Sequence, residues 1–89
     1  MPIIAEFYEI RIKMIHYDVR KHNQPHIHAE YQELEAVYSI PDGELLVGEL
    51  PRRQSNKVEE WIEQHQNELM SDWKLAIAGE RLFKIDPLD

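Results

Sequence analysis

The chain has 89 residues, of which 43% are hydrophobic and 30% are charged, and it contains no cysteine. This length predicts one domain, residues 1–89, with a single modest core, and the absence of cysteine excludes disulfides, thiolate metal sites and cysteine nucleophiles. The net charge of −7 argues against a protein that wraps nucleic acid, because counterion release needs many basic contacts to phosphate.

Two further features of the sequence concern its location and its charge distribution. No apolar run approaches the roughly 20 residues that a membrane span needs, and the first residues lack the basic region of a signal peptide, so we expect a cytoplasmic protein. Residues 1–28 hold 4 basic and 3 acidic residues, a balance of +1, whereas residues 29–89 hold 6 basic and 14 acidic residues, a balance of −8. This asymmetry indicates a local site for an anion or an acidic partner near the first segment.

The first half of the chain predicts strands. Phe7–Tyr17 has apolar residues at every second position, which is typical of a strand with one buried face. Residues 18–25 have no apolar period and predict a loop. Three more strands are expected, separated by a Pro-Asp-Gly turn at residues 41–43 and ended by Pro51: His26–Tyr31, Leu34–Ile40 and Glu44–Leu50.

The second half of the chain changes to a helical period. Ser55 is a plausible N-cap for a first helix, and a second, short helix that carries Trp73 is expected to begin at Ser71 or Asp72, with Gly79 as the residue after its end. The stripe of the first helix consists of Val58, Trp61, Ile62, His65 and Leu69. The sequence therefore predicts an α+β fold, in which a small antiparallel meander of about four strands is followed by two helices packed on one of its faces.

The segment His22–His28 is the clearest candidate for chemistry. On a strand, His26 and His28 lie on the same face with about 6.5–7 Å between their Cα atoms, and we expect both rings to project into water. Imidazoles at this spacing can share a divalent metal, with His22 as a third ligand and a coordinated water as the reactive group. The plainer interpretation is a row of polar side chains on the solvated face of an edge strand.

The same histidines can also be interpreted without a metal. His26 and His28 near Arg52, Arg53, Arg11 or Lys13 would resemble an acid–base pair next to groups that hold a phosphate, as a small hydrolase or ribonuclease requires. Arg52 and Arg53 precede a helix and are equally compatible with a solvated position.

Several segments, taken together, are similar to one family. The chain resembles the bacterial domain-of-unknown-function family 4160 in Met1–Ile4 with Phe7, Tyr8 and Ile10, in His22-Asn23-x-Pro25-His26-x-His28 with Tyr31, in Gly43–Arg53, and in Glu60-Trp61 through Trp73 to Ala78-Gly79. The resemblance implies a small prokaryotic cytoplasmic protein with no settled activity, whose gene often lies beside that of another small family, as in toxin–antitoxin pairs. One departure is Gln32, where members of the family often carry glycine; if the turn needs a positive φ, Gln32 is strained there.

Our leading hypothesis is a partner-binding regulatory or toxin–antitoxin-type protein that uses the sheet edge and the His-rich strand to bind a small protein encoded nearby. Nucleic acid is disfavoured by the charge, and no membrane partner is expected. The alternative is a metal-binding protein or small hydrolase, with His22, His26 and His28 as metal ligands, a divalent metal as cofactor, and His26, His28, Arg52 and Arg53 as catalytic candidates. The predicted binding residues are His22, Asn23, Pro25, His26, His28, Tyr31, Arg52 and Arg53.

Overall fold

The computed structural model describes residues 3–14 and 24–88. It contains one antiparallel sheet in which the strands lie in sequence order, followed by two helices. The α+β class is therefore confirmed, with five strands in place of about four. The elements are β1 Ile3–Phe7, β2 Ile10–Lys13, β3 His26–Tyr31, β4 Leu34–Ser39, β5 Leu45–Gly48, α1 Arg52–Gln64 and α2 Gln66–Ile77.

The first strand of the sheet was not expected. The residues predicted to form one strand from Phe7 onward form a hairpin, in which Phe7 on β1 pairs with Ile10 on β2. Tyr8 (φ 48°) and Glu9 (φ 66°) make the two-residue turn between them, and two positive φ angles are typical of a type I′ hairpin turn. The prediction of one continuous strand from Phe7 is therefore wrong, and its last residues, 15–17, lie outside the described part, as does most of the predicted loop 18–25.

The strands that follow agree with the sequence analysis. β3 has the predicted bounds, and β4 begins at Leu34 as predicted. The turn before β5 contains Gly43 with φ 77°, whose backbone N–H donates to the Ser39 carbonyl oxygen at 2.8 Å. β5 is shorter than predicted and ends at Gly48, where a Cβ atom would lie 2.3 Å from the Glu35 carbonyl oxygen. Only glycine fits this close approach of β5 to β4.

The helices differ from the prediction at three of their ends. α1 begins after Pro51, and Ser55 lies inside it, where its hydroxyl oxygen is 2.7 Å from the Tyr38 hydroxyl; Ser55 is therefore not the N-cap. α1 ends at Gln64, His65 (φ −125°, ψ 31°) is its C-cap, and α2 begins at once with Gln66. The predicted start of the second helix at Ser71 or Asp72 is wrong, and the apolar stripe belongs to two helices.

The end of α2 is the predicted one. Gly79 follows the last helical residues with φ 74°, and its N–H donates to the Ala76 carbonyl oxygen at 3.1 Å. The Glu80 N–H donates to the Leu75 carbonyl oxygen at 2.9 Å. This pair of hydrogen bonds is a Schellman motif, which uses the left-handed conformation that glycine adopts without strain.

The core lies between the sheet and the helices and is completed by the segment after α2. Trp61 and Tyr38 are its largest fully buried side chains. The Trp61 indole N–H donates to the Asp86 carbonyl oxygen at 2.7 Å, and the Ile85 N–H donates to the Ile4 carbonyl oxygen of β1 at 2.8 Å. The last described residues thus lie against β1 and cover the core indole.

Within the described residues, neither helix has both the length and the apolar character that crossing a bilayer requires.

Candidate functional site

The His-rich strand has the predicted conformation but not the predicted exposure. His26 and His28 lie on one face of β3, with ring centroids 5.3 Å apart. Their exposed fractions are 0% and 7%, so the expectation that both rings project into water is wrong. Strand alternation directs Ile27 into the core, and the opposite face, which carries the histidines, is also covered. The Trp73 ring of α2 lies 5.0 Å from that of His26.

The two imidazoles have different neighbours. His26 Nδ1 lies 3.0 Å from the Gln24 carbonyl oxygen, and because a carbonyl only accepts, Nδ1 carries the proton in this contact. In the neutral ring the Nε2 atom then bears the lone pair. His28 Nδ1 lies 3.6 Å from a carboxylate oxygen of Glu35 on β4. The pair is therefore embedded in the sheet surface beside a tryptophan and a carboxylate.

A small ion-pair group continues the histidine face toward β2. The Lys13 ammonium lies 3.1 Å from the Glu30 carboxylate, and the Arg11 guanidinium lies 3.4 Å from it. The hydrogen bond from Lys13 is the main reason that the pKa of Glu30 lies below its usual value, with the positive charges of both residues acting in the same direction and partial burial opposing them. This group links β2 to β3 and leaves Glu30 ionised at neutral pH.

The predicted metal site can be compared with the structure only in part. Within residues 3–14 and 24–88, no three histidine, aspartate or glutamate side chains are grouped so that they could hold a metal ion. His22, the predicted third ligand, and Asn23 lie outside the described residues. Pro25 comes directly before β3, and its carbonyl oxygen accepts a hydrogen bond from the Ile40 N–H at 3.0 Å.

A second group of predicted residues meets elsewhere. Tyr31 ends β3 on the core side of the sheet, and Arg53 lies in the first turn of α1; both line an open cleft with a volume of about 530 Å³. We call it the tyrosine cleft, and its lining consists of Tyr8, Glu9, Tyr31, Arg53, Gln54 and Lys57. Neither His26 nor His28 belongs to this lining, and Arg52 is exposed beside it. The histidine pair and Arg53 are therefore not brought into one cleft.

The tyrosine cleft has a cationic wall on α1. Arg53 and Lys57 are four residues apart and therefore lie on the same side of the helix. The Lys57 ammonium lies 4.1 Å from the centroid of the Tyr8 ring, a cation–π contact. Within the described residues, neither Arg53 nor Lys57 forms an ion pair with a carboxylate. The sequence analysis did not identify Tyr8, Glu9, Gln54 and Lys57 as site residues. The spacing of Arg53 and Lys57, four residues apart in a predicted helix, was the available signal for a cationic surface.

Backbone strain is concentrated at the same end of the sheet. The non-glycine residues with positive φ in the described part are Tyr8, Glu9 and Gln32, at 48°, 66° and 54°. The first two line the tyrosine cleft, and the third follows Tyr31, whose hydroxyl accepts a 3.4 Å hydrogen bond from the Gln32 side-chain amide. Left-handed conformations of such residues cost energy and often occur at functional sites. The condition stated for Gln32, a turn that needs a positive φ, is met.

A third surface feature is the outer edge of the sheet at β5. This strand ends the strand order, and its side chains Leu45 and Val47 are 44% and 51% exposed. Leu34, at the start of β4, is 45% exposed and lines a shallow groove with Leu50 and its neighbours. A short strand with exposed apolar side chains at a sheet edge is a typical place for contact with another protein.

The comparisons with known proteins identify a family and nothing more specific. The family described as a domain of unknown function (DUF4160) matches residues 10–74. Neither a curated protein nor a solved structure matches this chain. The matched range includes β2 to β5, α1 and most of α2. It therefore contains His26, His28 and the α1 wall of the tyrosine cleft.

Proposed function

Because the chain belongs to the family DUF4160, whose activity is unknown, we propose from its surface that it is a partner-binding regulatory component of the toxin–antitoxin type. In this proposal the protein contacts a small protein encoded nearby through the β5 edge of its sheet. The observation that carries the proposal is the exposure of Leu45 and Val47 on a terminal strand.

The chemistry of the edge argues for an added strand from the partner. A terminal strand presents backbone N–H and C=O groups on its outer side, and a partner segment in extended conformation can pair with them. The exposed side chains Leu34, Leu45 and Val47 then provide apolar contact area that a monomer gains nothing by exposing. β5 has only 4 residues, and its register with β4 shifts within them, so we expect pairing over only a few residues.

The charge of this region specifies the partner further. Residues 32–51, which we call the acidic hairpin, contain Glu33, Glu35, Asp42, Glu44 and Glu49 and no lysine, arginine or histidine. An extended segment with basic residues on both sides of a short apolar run would complement it. A second copy of this chain fits poorly, because antiparallel pairing of two β5 strands would bring Glu44 of one copy near Glu49 of the other.

In this proposal the His-rich strand β3 no longer forms the contact surface, as the sequence analysis expected. His26 and His28 are buried, so β3 supports β4 and β5 from inside the sheet, and the contact surface lies at the edge. Tyr31, at the end of β3, lines the tyrosine cleft.

The partner surface can be tested with the products of the two genes that flank this one. Each is titrated against the protein by calorimetry, and we expect one of them to bind with an affinity that falls with added salt. Val47→Lys places a charge in the edge contact and should weaken binding by about tenfold or more. Ile77→Lys is the matched control, since Ile77 is 58% exposed at the end of α2 and does not belong to the sheet.

Three outcomes would contradict the proposal. The first is that neither product binds, and the second is an equal loss of affinity in both variants. The third is a stable homodimer in sedimentation experiments that Val47→Lys dissociates, because a second copy would then occupy the edge.

A metal-binding protein or small hydrolase is the second candidate. It is favoured by the hydrogen bond that His26 makes and by the short distance between the His26 and His28 rings. The contact of His26 Nδ1 with the Gln24 carbonyl oxygen is the kind of hydrogen bond that orients a metal-ligating imidazole, and His28 lies 5.3 Å away. His22 would be the third ligand. The hydrolase version also needs Arg52 or Arg53 near the imidazoles, and Arg53 lines a cleft on the other face of the sheet.

The metal candidate predicts that zinc or nickel raises the melting temperature, because a ligand stabilises the state that it binds. His28→Gln should abolish this rise while preserving the size of the side chain, and His65→Gln, on the turn between the helices, is the control. An unchanged melting temperature with metal well above micromolar concentration would exclude the site. Cleavage of RNA without metal tests the acid–base version separately.

A further inference from the structure

The tyrosine cleft is the feature of the surface that the proposed partner contact leaves unexplained. It is built by three separate elements: the turn between β1 and β2, the end of β3 and the first two turns of α1. Its volume of about 530 Å³ is in the range typical of small-molecule sites. The strained turn at Tyr8 and Glu9 forms one wall.

The cationic wall of the cleft, formed by Arg53 and Lys57, is unusual because the chain as a whole is acidic. The protein has 17 acidic and 10 basic residues, yet the described residues offer no carboxylate ion pair to Arg53 or Lys57. Arg53 is exposed, and Lys57 is held over the Tyr8 ring at 4.1 Å. Two cations on one side of a helix, with no carboxylate partner in the described part of the chain, are suited to a compact anion such as a phosphate group.

The other lining residues narrow the chemistry of the ligand. Tyr8 is 49% exposed, with Lys57 over one face of its ring, and Tyr31 is half-buried. The exposed parts of the two rings offer apolar area on which a planar aromatic group can stack. Glu9 disfavours a polyanion but accepts hydrogen bonds from hydroxyl groups, as acidic residues do from ribose. A ligand that carries one phosphate, a sugar and a planar ring matches these three kinds of group.

From this arrangement we propose that the tyrosine cleft binds a nucleoside monophosphate. The phosphate is held by Arg53 and Lys57, the sugar hydroxyls donate to Glu9, and the base stacks on the tyrosine side of the cleft. The ligand is a free nucleotide, because a chain with net charge −7 is poorly suited to the repeated phosphates of a long strand. The site is separate from the β5 edge, so this inference goes beyond the partner proposal and does not depend on it.

The proposal is tested by calorimetric titration of the purified protein with AMP and UMP, in parallel with ribose 5-phosphate and inorganic phosphate. We expect a nucleotide to bind most tightly and inorganic phosphate least tightly. Arg53→Ala and Lys57→Ala should each weaken binding by about tenfold, the effect of losing one charge-assisted contact. Lys74→Ala removes an exposed positive charge on α2 and should leave binding unchanged.

Further variants distinguish stacking on Tyr8 and the specific position of Arg53 from a general attraction of anions to positive charge. Tyr8→Phe should retain binding and Tyr8→Ala should weaken it, with circular dichroism confirming that each variant is folded. Val47→Lys should bind the nucleotide like the parent chain. The proposal is overturned by inorganic phosphate binding as tightly as the nucleotides, by equal losses in Arg52→Ala and Arg53→Ala, or by the absence of heat from either nucleotide at millimolar concentration. The first two of these would indicate only a non-specific attraction of anions.

Discussion

At the scale of single residues, the left-handed conformation of Gln32 has a measurable cost. Its φ of 54° places a side chain in a region that glycine occupies without penalty. We expect Gln32→Gly to increase the free energy of unfolding by about 1 kcal/mol, the usual cost of a left-handed non-glycine residue. Urea denaturation measures the change. The substitution also removes the hydrogen bond from the Gln32 side chain to the Tyr31 hydroxyl. This hydrogen bond is long and exposed, so its loss offsets little of the gain in stability.

The neighbouring turn residue provides the control for that change. Glu33 lies in the same turn but is not among the residues with positive φ, so Glu33→Gly should lower stability through the extra freedom of the unfolded chain. Equal effects of both substitutions would show that the strain at position 32 has been relieved elsewhere. If Gln32→Gly also weakens ligand binding, the side chain positions the Tyr31 hydroxyl in the tyrosine cleft.

At the scale of elements, Asp72 connects α2 to the segment that follows it. One of its carboxylate oxygens accepts the Phe83 N–H at 3.0 Å, and the side chain is almost completely buried. Burial is the main reason that the pKa of Asp72 lies above its usual value; the Phe83 N–H acts against this rise and the nearby Glu68 acts with it. A carboxyl with a raised pKa binds its proton more tightly in the folded state, so it lowers stability as the pH rises above about 4.

Replacing this group by an amide separates the hydrogen bond from the charge. Asp72→Asn keeps an acceptor for Phe83 and removes the ionisation, so we expect a higher melting temperature than that of the parent chain at pH 7. The difference should shrink as the pH falls toward the ordinary pKa of an aspartate, about 4, because protonation of the parent carboxylate removes its buried charge. Asp86→Asn, at an exposed position in the same segment, is the control. A constant difference at all pH values would show that the effect is not due to ionisation.

The elements also show where sequence patterns were sufficient. β3, β4 and the turn at Gly43 were predicted because alternation and turn residues agree there. The hairpin at Tyr8 and Glu9 was missed because neither residue type favours a left-handed turn, so no local signal interrupts the alternation. The helix break at His65 was missed because Leu69 continues the apolar stripe across it, and a stripe reports which side is buried and not whether the backbone bends.

The sites required information from the whole molecule. The alternation of side chains along β3 correctly predicted that His26 and His28 share one face. The burial of His26 could not be predicted in this way, because the ring beside it belongs to Trp73, which is far away in sequence. The tyrosine cleft combines residues from β1 to α1, and no local pattern predicts that Glu9, Tyr31 and Lys57 meet. The charge asymmetry predicted a site for an anion or an acidic partner near residues 1–28, whereas the basic pair that lines the cleft, Arg53 and Lys57, lies in the acidic part of the chain.

The arrangement of charge across the whole molecule separates its two proposed surfaces. The acidic hairpin forms one edge of the sheet, and the tyrosine cleft provides a cationic wall between the β1–β2 turn and the start of α1. If both proposals hold, a basic partner and a phosphate-bearing ligand would be attracted to different parts of the protein and would not compete for one surface.

The hydrogen bond between Ile85 and Ile4 has an evolutionary consequence. The two segments that it joins both lie outside residues 10–74, the range shared with the family. The second segment also contacts the core, since the Asp86 carbonyl oxygen accepts the Trp61 indole N–H. Relatives that have lost one of these segments should have lost the other as well, or should carry a smaller side chain in place of the tryptophan.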